Sequence, residues 1–326
     1  MLIRPELAAL RNDDAPQRRA QAALGAALDR WHAEPLVRAA NAELVRWGCG
    51  ADLEDLPVLS TLFASGEDAA AQFAGNLIAQ IVAELSINPI GQSPLRHYLD
   101  DATASVSLLR HGTTVLSLLA FDGQAMTRAA PPTSARFVPC ETWDAVLAGS
   151  AEADVFTLHD CGSNNAGLSR SDFRLVPGMV QRRSGQTQTV QFKRVASCLV
   201  LLRLQRRTDN NGVSREYAIE DGTLLHQSAA SPRDSRWELT AALLGRMGRT
   251  DAAPMLAAMA EEEGSAGMRW QVLRECLGLD TRRGFTALCR IAADPTDPLA
   301  RHAGSLRTQL IETHPQLGEI DPCLVN

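Results

Sequence analysis

The feature that most constrains the fold of this chain is a segment near its C-terminal end that repeats with an offset of 33 residues. Arg-Trp-Glu-Leu at residues 236–239 returns as Arg-Trp-Gln-Val at residues 269–272, and Leu-Gly at 244–245 returns at 277–278. Self-similarity at a period of this length marks a unit that buries its apolar face only against its neighbour. The repeat therefore predicts stacked helical hairpins, followed by a lone last helix.

The repeated Arg-Trp pairs predict both a packing contact and a surface. Because Trp237 and Trp270 occupy equivalent positions, we expect both to be buried in the same way between stacked helices. Arg236 and Arg269 then lie about 100° further round their helices. Two arginines spaced one repeat apart along an edge of the helical layer can engage an acidic partner segment.

Residues 235–314 resemble HEAT-type repeats in the short form found in many bacterial proteins. The similarity rests on one helix pair per unit, on the Leu-Gly pair that closes the first helix of each unit, and on an acidic or proline-marked start to the next helix. The resemblance implies a surface for binding or scaffolding other proteins.

Composition excludes several classes of function. A chain of 326 residues is long enough for two or three cores. A formal charge of -6 gives no electrostatic footprint for nucleic acid or an anionic membrane surface, so neither partner is expected. We also expect no membrane-spanning helix, because no uninterrupted apolar stretch approaches the roughly 18–20 residues that one requires. The N-terminus does not look like a secretion signal, so a cytoplasmic location is expected. The basic residues are almost all arginine, which favours a bacterial source.

Cysteine usage agrees with that location. The seven cysteines are an odd number, dispersed without any C-x-x-C spacing, which is typical of reduced thiols.

Hydrophobic periodicity predicts an α+β fold upstream of the repeats. From about residue 17 to 85 the apolar residues recur at helical spacing. Beyond about residue 105 the period becomes 2, and many short strand patterns follow one another with little helix between them. We predict an N-terminal helical segment over residues 1–100, an antiparallel β-sandwich or barrel over 101–230, and a short HEAT-like α-solenoid over 231–326.

The β region resembles a cupin. The similarity rests on Phe-Val-Pro at residues 137–139, on Trp143, and on the proline-glycine turn within residues 175–182. A metal cupin carries a His-x-His pair with a following Glu and a later His after that turn, so that its ligands converge inside the barrel. Here there is no His-x-His, and Gln181 and Arg182 stand where the later histidine is expected. The resemblance implies a barrel without its usual metal site, so we expect no metal and no cofactor.

Three histidines are the candidates for chemistry in the β region. His111, His159 and His226 fall at or beside the ends of predicted strands, and ligand sites are common at barrel mouths. His159 and Cys161 are two apart on an extended segment and share a side, so they can form a thiolate pair. The competing interpretation is three unrelated turn or edge histidines and a polar turn.

A local basic cluster includes Arg182 and Arg194 on two neighbouring strand candidates. If they lie on one face, they can bind an anionic ligand or partner. The competing interpretation is a solvated sheet face balanced by nearby acids.

Two functions remain open at this point. The first is a non-catalytic interaction, regulatory or scaffold protein on a degenerate cupin-like barrel, with Arg182, Arg194, Arg236 and Arg269 presented to an unidentified protein partner. The alternative is a small-molecule-binding sensor or an enzyme that uses the barrel cavity. The sequence assigns no catalytic residue beyond the weak histidine and cysteine candidates.

Overall fold

The computed structural model describes residues 13–161, 165–208, 212–229, 231–262 and 264–320. The chain divides into two compact units. The first comprises Met1–Ala135, Cys140–Thr208 and Ile219–Gly222, and the second comprises Arg136–Pro139, Asp209–Ala218 and Thr223–Asn326. Helices and antiparallel sheets are both present, as the α+β prediction required. The predicted division into three domains at residues 100 and 230 stays a prediction.

The first unit begins with helices that the apolar periodicity predicted. They are α1 (Ala15–Ala33), α2 (Pro35–Gly48), α3 (Pro57–Leu62) and α4 (Ala69–Ile87), with a 3-10 turn at Leu53–Asp55. Proline at the first position of α2 has no backbone N–H to leave unpaired there. Beyond the end of α2, Gly50 takes a φ of +104°, a conformation that favours glycine.

Within the described residues, α4 alone is long and apolar enough to cross a membrane by length and composition. Its mean hydropathy is 1.2 over the relevant window. Core helices of other proteins meet the same criterion. Gln72, Asn76, Gln80 and Glu84 interrupt the apolar run, and Glu84 pairs with Arg30 of α1.

Twelve described strands and one short helix follow. They are β1 (His97–Leu99), β2 (Thr103–His111), β3 (Thr114–Asp122), α5 (Gly123–Arg128), β4 (Ser134–Phe137), β5 (Cys140–Ala148), β6 (Ala151–Cys161), β7 (Ala166–Leu175), β8 (Val180–Ser184), β9 (Gln188–Val195), β10 (Cys198–Arg207), β11 (Val213–Ala218) and β12 (Leu224–Ala229). They form a six-stranded sheet of order β1-β2-β3-β10-β5-β8 and two three-stranded sheets, β12-β11-β4 and β7-β6-β9. The strand pairs are antiparallel, as predicted.

Both faces of the six-stranded sheet are covered within the first unit. Leu202 and Leu204 of β10 point to one face and join a core with α-helical residues such as Trp31 and Trp47. Leu199 and Leu201 point to the other face, and they join a core with residues of the β7-β6-β9 sheet. We call these the helix face and the inner face of the six-stranded sheet.

Arg206 ties the helix face to the end of α2. Its Nη1 donates to the backbone carbonyls of Trp47 at 2.7 Å and Ala51 at 3.2 Å, and its Nε donates to Glu141 at 2.8 Å. The guanidinium also lies 4.6 Å from the centroid of the Trp47 ring. One side chain thus satisfies carbonyls at a helix end, a buried carboxylate and an aromatic face.

Replacing Arg206 with methionine removes these contacts while keeping most of the aliphatic stem. We expect Arg206→Met to lower the free energy of unfolding by about 1.5–3 kcal/mol, the range for hydrogen bonds to a charged group. Urea denaturation measures the change. Arg207→Met is the matched control, because Arg207 is adjacent and points to the opposite face of the sheet; an equal loss in both variants would contradict the assigned role.

The second unit carries the helices of the repeat region. They are α6 (Pro232–Arg246), α7 (Ala253–Glu261), α8 (Ala266–Leu279), α9 (Thr281–Ala293) and α10 (Ala300–Thr313), with 3-10 turns at Thr250–Ala252 and Pro315–Glu319. α8 packs against α6, α7 and α9, and α10 packs on α9. Their core includes Leu256, Val272, Leu273, Phe285 and Leu288. The predicted helices are present; the HEAT-like assignment and the solenoid stay predictions.

The equal burial predicted for the two repeated tryptophans is wrong. Trp237 is 41% exposed, whereas Trp270 is half-buried and lies 6.3 Å from the His302 ring, centroid to centroid. The reason is position in the layer. α6 packs mainly on α8, whereas α8 packs on α6, α7 and α9, so the two equivalent positions have different numbers of neighbouring helices.

Arg269 does not line an exposed edge, contrary to the prediction from the repeat. Its side chain is 7% exposed, and its Nη1 and Nη2 donate to Asp297 at 3.2 and 2.5 Å. Nε donates to the carbonyl of Ala260 at 2.8 Å. The guanidinium therefore holds the loop before α10 against the end of α7, and it is not available to a partner.

Candidate functional site

The three candidate histidines do not share a sheet. His111 ends β2 in the six-stranded sheet, His159 lies in β6 of the β7-β6-β9 sheet, and His226 lies in β12 of the third sheet. All three are exposed, and His159 Nε2 lies 2.7 Å from the Ser169 hydroxyl. No group of three or more His, Cys, Asp or Glu residues suited to a metal ion occurs in the part of the chain that the structure describes.

The predicted thiolate pair of His159 and Cys161 stays a prediction, because the Cys161 side chain lies outside the described residues. The cysteines whose side chains are described form no disulfide: Cys49, Cys140, Cys198, Cys276 and Cys289.

Arg182 and Arg194 do not lie on one sheet, so the shared basic face predicted from the sequence is not formed. Arg182 lies in β8 of the six-stranded sheet, donates to Glu141 at 2.9 Å and lies 5.3 Å from the Trp143 ring centroid. Arg194 lies in β9 of the β7-β6-β9 sheet and pairs with Glu152 at 2.5 Å. Nearby acids balance both arginines, as the competing interpretation holds: Arg182 shares Glu141 with Arg206, and Arg194 pairs with Glu152.

The sole lysine, Lys193, also lies in an ion network on the β7-β6-β9 sheet. Its Nζ is 2.5 Å from Asp172 and 3.2 Å from Asp154, and Arg170 pairs with Asp154 from the neighbouring strand at 2.6 Å. The hydrogen bond that Lys193 donates to Asp172, together with its contact with Asp154, raises the pKa of Lys193 above its ordinary value. This lysine is therefore charged and paired with two carboxylates.

The inner face of the six-stranded sheet changes from apolar to polar along its strands. Strand register places one row of four side chains across β3, β10, β5 and β8: Ser117, Arg203, Asp144 and Gln181. The adjacent row on the same face contains Gln205, Thr142 and Arg183. We call these seven residues the polar rows. Buried polar groups cost free energy unless they are paired, so a polar interior of this size needs an explanation.

Asp144 lies at the centre of the polar rows. Its side chain is 3% exposed. Arg203 donates to it from two atoms, Nε to Oδ1 at 2.6 Å and Nη2 to Oδ2 at 2.9 Å. Arg183 Nη1 also donates to Oδ2. The two guanidinium groups reach one carboxylate from strands on either side of it, because β5 lies between β10 and β8.

Burial and charge act in opposite directions on this group. Burial alone raises the pKa of Asp144, but the attraction of Arg203 and Arg183 outweighs it, so the pKa lies below its ordinary value. Burial lowers the pKa of Arg203, and Asp144 more than compensates, so that pKa is raised. Asp144 is thus an ionised acceptor rather than a proton donor.

Neighbouring polar groups in the rows are paired in part. Gln205 Nε2 donates to the Thr142 hydroxyl at 3.2 Å and to the Cys140 sulfur at 3.2 Å. The side-chain oxygen of Gln181 is buried and has no hydrogen-bond partner. The rows are therefore not saturated by contacts within the protein.

A second candidate site is an apolar stripe on α6. Leu239 is 73% exposed, Leu243 57% and Met247 59%. A spacing of four places them on one face, away from the side that holds the buried Ala241. We call these three residues the α6 stripe. Large apolar side chains exposed in line along a helix are typical of a surface that another protein covers.

Arginine side chains border the α6 stripe. Arg236 is exposed three residues before Leu239, and Arg246 is exposed three residues after Leu243. The acidic side chains of α6 are not exposed, since Asp234 is buried and Glu238 half-buried. The solvent face of α6 is therefore apolar along its centre and positive at its rim. Of the arginines predicted to bind a partner, Arg236 lies on this face.

The residues at the centre of the polar rows escaped the sequence analysis. A signal existed: polar residues alternate with apolar ones at residues 142–146 and 201–205, inside strands whose other residues are buried. What the sequence lacked was the pairing, since Asp144 and Arg203 meet across 59 residues.

No family model matches the chain, and no curated protein matches it. Solved structures do match in part. A cupin superfamily protein from Desulfitobacterium hafniense DCB-2 is 16% identical over 34% of this chain and 83% of its own, with a TM-score of 0.23. A sugar phosphate isomerase from the cupin superfamily of Silicibacter pomeroyi DSS-3 is 14% identical over 39% of this chain and 78% of its own, with a TM-score of 0.24. The DMSP lyase DddQ from Ruegeria pomeroyi DSS-3 is 14% identical over 45% of this chain and 68% of its own, with a TM-score of 0.26.

Two of these structures carry the cupin name that the β region was predicted to resemble. Likeness at such identities and TM-scores carries no argument about the chemistry of this chain. The cupin-like assignment stays a prediction.

The ion pairs of Asp144 predict how stability depends on pH. Because its folded pKa is depressed, the stabilisation is present above the unfolded pKa of about 3.9 and is lost as the pH falls through the folded value. We expect Asp144→Asn to lower the free energy of unfolding at pH 7 by about 3–5 kcal/mol, since it leaves two guanidinium groups without their carboxylate.

The gap between wild type and Asp144→Asn should narrow below about pH 4. Urea denaturation at pH 7 and pH 3 measures both effects. Asp101→Asn, at an exposed carboxylate, is the matched control and should stay within about 0.5 kcal/mol of wild type. A pH-independent gap for Asp144→Asn would contradict the assignment of an ionised carboxylate.

Proposed function

We propose that this chain is a non-catalytic interaction or scaffold protein, and that the α6 stripe is the surface that binds its protein partner. The observation that carries the proposal is the exposure of Leu239, Leu243 and Met247 on one face of a helix. Arg236, one of the arginines predicted from the repeat to meet an acidic partner, borders that face.

The chemistry of the α6 face selects the kind of partner. An apolar centre with a positive rim complements an amphipathic helix whose apolar face is bordered by Asp or Glu. A second copy of this chain is a poorer occupant. Pairing of two α6 helices about a twofold axis brings like-charged arginine rims together, which is unfavourable. The proposed partner therefore presents an acidic amphipathic helix.

The expected affinity is moderate. Burying one Leu or Met side chain contributes about 1.5–3 kcal/mol, and the stripe offers three. Loss of translational and rotational freedom costs about 4–15 kcal/mol. Arginine–carboxylate pairs at an exposed rim add about 0–1 kcal/mol each. A single helix on this face is thus expected to bind no more tightly than the micromolar range, and the rim pairs make the binding salt-sensitive.

A synthetic peptide tests the stripe directly. The probe is a fluorescein-labelled amphipathic helix with leucine on one face and glutamate on both borders, titrated with full-length protein and followed by fluorescence anisotropy. We expect Leu243→Glu to weaken binding at least tenfold, because it places a carboxylate in an apolar, acid-facing contact. Leu99→Glu is the matched control, since Leu99 is also exposed but lies in β1. Equal binding by both variants would contradict the proposal.

Reversing the charge of the two rim arginines distinguishes specific binding from non-specific association with the apolar stripe. Arg236→Glu combined with Arg246→Glu should lose the acidic peptide and gain a lysine-bordered version of it. In cells, a photo-crosslinking amino acid at position 243 should label an acidic helical segment of another protein. Labelling of a second copy of this chain, together with a dimer that Leu243→Glu abolishes, would identify a different occupant and overturn this assignment.

Other expectations from the sequence remain part of the proposal. They are a cytoplasmic location, a bacterial source and partners other than nucleic acid or membrane. The alternative, a sensor or enzyme that uses His111, His159 or His226 in a barrel cavity, stays a prediction.

A further inference from the structure

The polar rows contain more positive than negative charge. Arg183 and Arg203 both donate to Asp144, so two guanidinium groups share one carboxylate. Their side chains are only 11% and 23% exposed. An arginine held mostly out of water without a full counter-charge costs several kcal/mol. The seven residues of the polar rows therefore carry a net charge of about +1.

The other acids of the first unit with recorded ion pairs are engaged elsewhere. Glu141 precedes Asp144 by three residues and so lies on the helix face, where it pairs with Arg206 and Arg182. Asp154 pairs with Arg170 and Lys193. In the described part of the chain, the recorded ion pairs of Arg183 and Arg203 involve Asp144 and no second carboxylate.

Both arginines have donors left over. A guanidinium carries five N–H groups in a fixed planar fork. Arg203 uses Nε and Nη2 on Asp144, which leaves Nη1 without a recorded acceptor, and Arg183 uses Nη1, which leaves Nε and Nη2. None of these nitrogens is among the buried unpaired atoms of the described residues, so they remain reachable by solvent. Free donors from two forks, beside one shared carboxylate, are suited to an oxyanion.

We propose that the polar rows bind a small molecule bearing a carboxylate or phosphate group, held by the free donors of Arg183 and Arg203. Asp144 occupies other donors of the same guanidinium groups and therefore competes with the ligand for them. Gln181, whose buried side-chain oxygen has no partner, lies in the same row as Asp144 and Arg203. This site is separate from the α6 stripe, and neither proposal depends on the other.

Anion binding to the folded state raises its stability by mass action. The experiment therefore follows thermal unfolding of the full chain with increasing inorganic phosphate in one arm and succinate in the other, with sodium chloride added to keep the ionic strength constant. We expect the Tm to rise with at least one of the two probes. The arm that responds tells a phosphate ligand from a carboxylate ligand.

Adjacent arginines provide a matched pair of variants. Arg183→Gln and Arg182→Gln remove the same charge from neighbouring residues, but register places Arg183 on the inner face and Arg182 on the helix face beside Trp143. We expect Arg182→Gln to keep the anion-dependent rise and Arg183→Gln to weaken apparent affinity at least tenfold, the effect of losing a hydrogen bond between charged groups. Equal responses from the two variants, or no rise in wild type with either probe, would overturn the proposal.

Removing the Asp144 carboxylate tests whether the affinity for the anion rises or stays unchanged. Asp144→Asn frees every donor that Asp144 occupies and removes a negative charge, so affinity for the responding anion should rise at least tenfold, although the variant is less stable without anion. A purely structural ion pair predicts lower stability with unchanged anion response, which would count against the site. If Asp144→Asn does not fold, the comparison of Arg183→Gln with Arg182→Gln decides the question.

Discussion

Burial of both faces of β5 and β10 is the constraint on which the first unit depends. Successive residues of a strand point to opposite sides, so each of these strands contributes side chains to two different buried regions. Leu202 and Leu204 fill the core under the helices, while Leu199 and Leu201 fill the core toward the second sheet. A one-residue slip would exchange the two sets and place Arg203 and Asp144 in the helical core. The ion pair between them is compatible with one register only.

Charged residues on the two faces have different roles. On the helix face, Arg206 and Glu141 join the sheet to the end of α2, and each finds several partners. On the inner face, Asp144 is saturated but the arginines that hold it are not. A fully satisfied network stabilises a fold, whereas a network with free donors in a partly buried place is suited to recognition. Arginine and acidic residues thus join the sheet to α2 on the helix face and, as we propose, form a ligand-binding site on the inner face.

The local sequence pattern predicts helices and strands better than it predicts the burial and contacts of individual side chains. Helical spacing predicted the helices of both units, and period-2 runs predicted the antiparallel strands, because both signals arise from near neighbours. The environment of a side chain depends on residues far along the chain. Arg269 is buried beside Asp297, 28 residues away, and Trp237 is exposed because α6 has fewer neighbouring helices than α8. The repeat predicts the same surroundings for equivalent residues. A helix at the end of the layer, however, has fewer neighbours than a helix inside it.

The ion network of Lys193 has a consequence for chemical labelling. Because it is the sole lysine, an amine-selective acylating reagent has one side-chain target in the whole sequence. That amine is held between Asp172 and Asp154 and its pKa is raised, so little of it is in the neutral, nucleophilic form near pH 8. Its acylation rate is therefore a site-specific report on whether the β7-β6-β9 sheet is intact, obtained from the natural sequence without an introduced label.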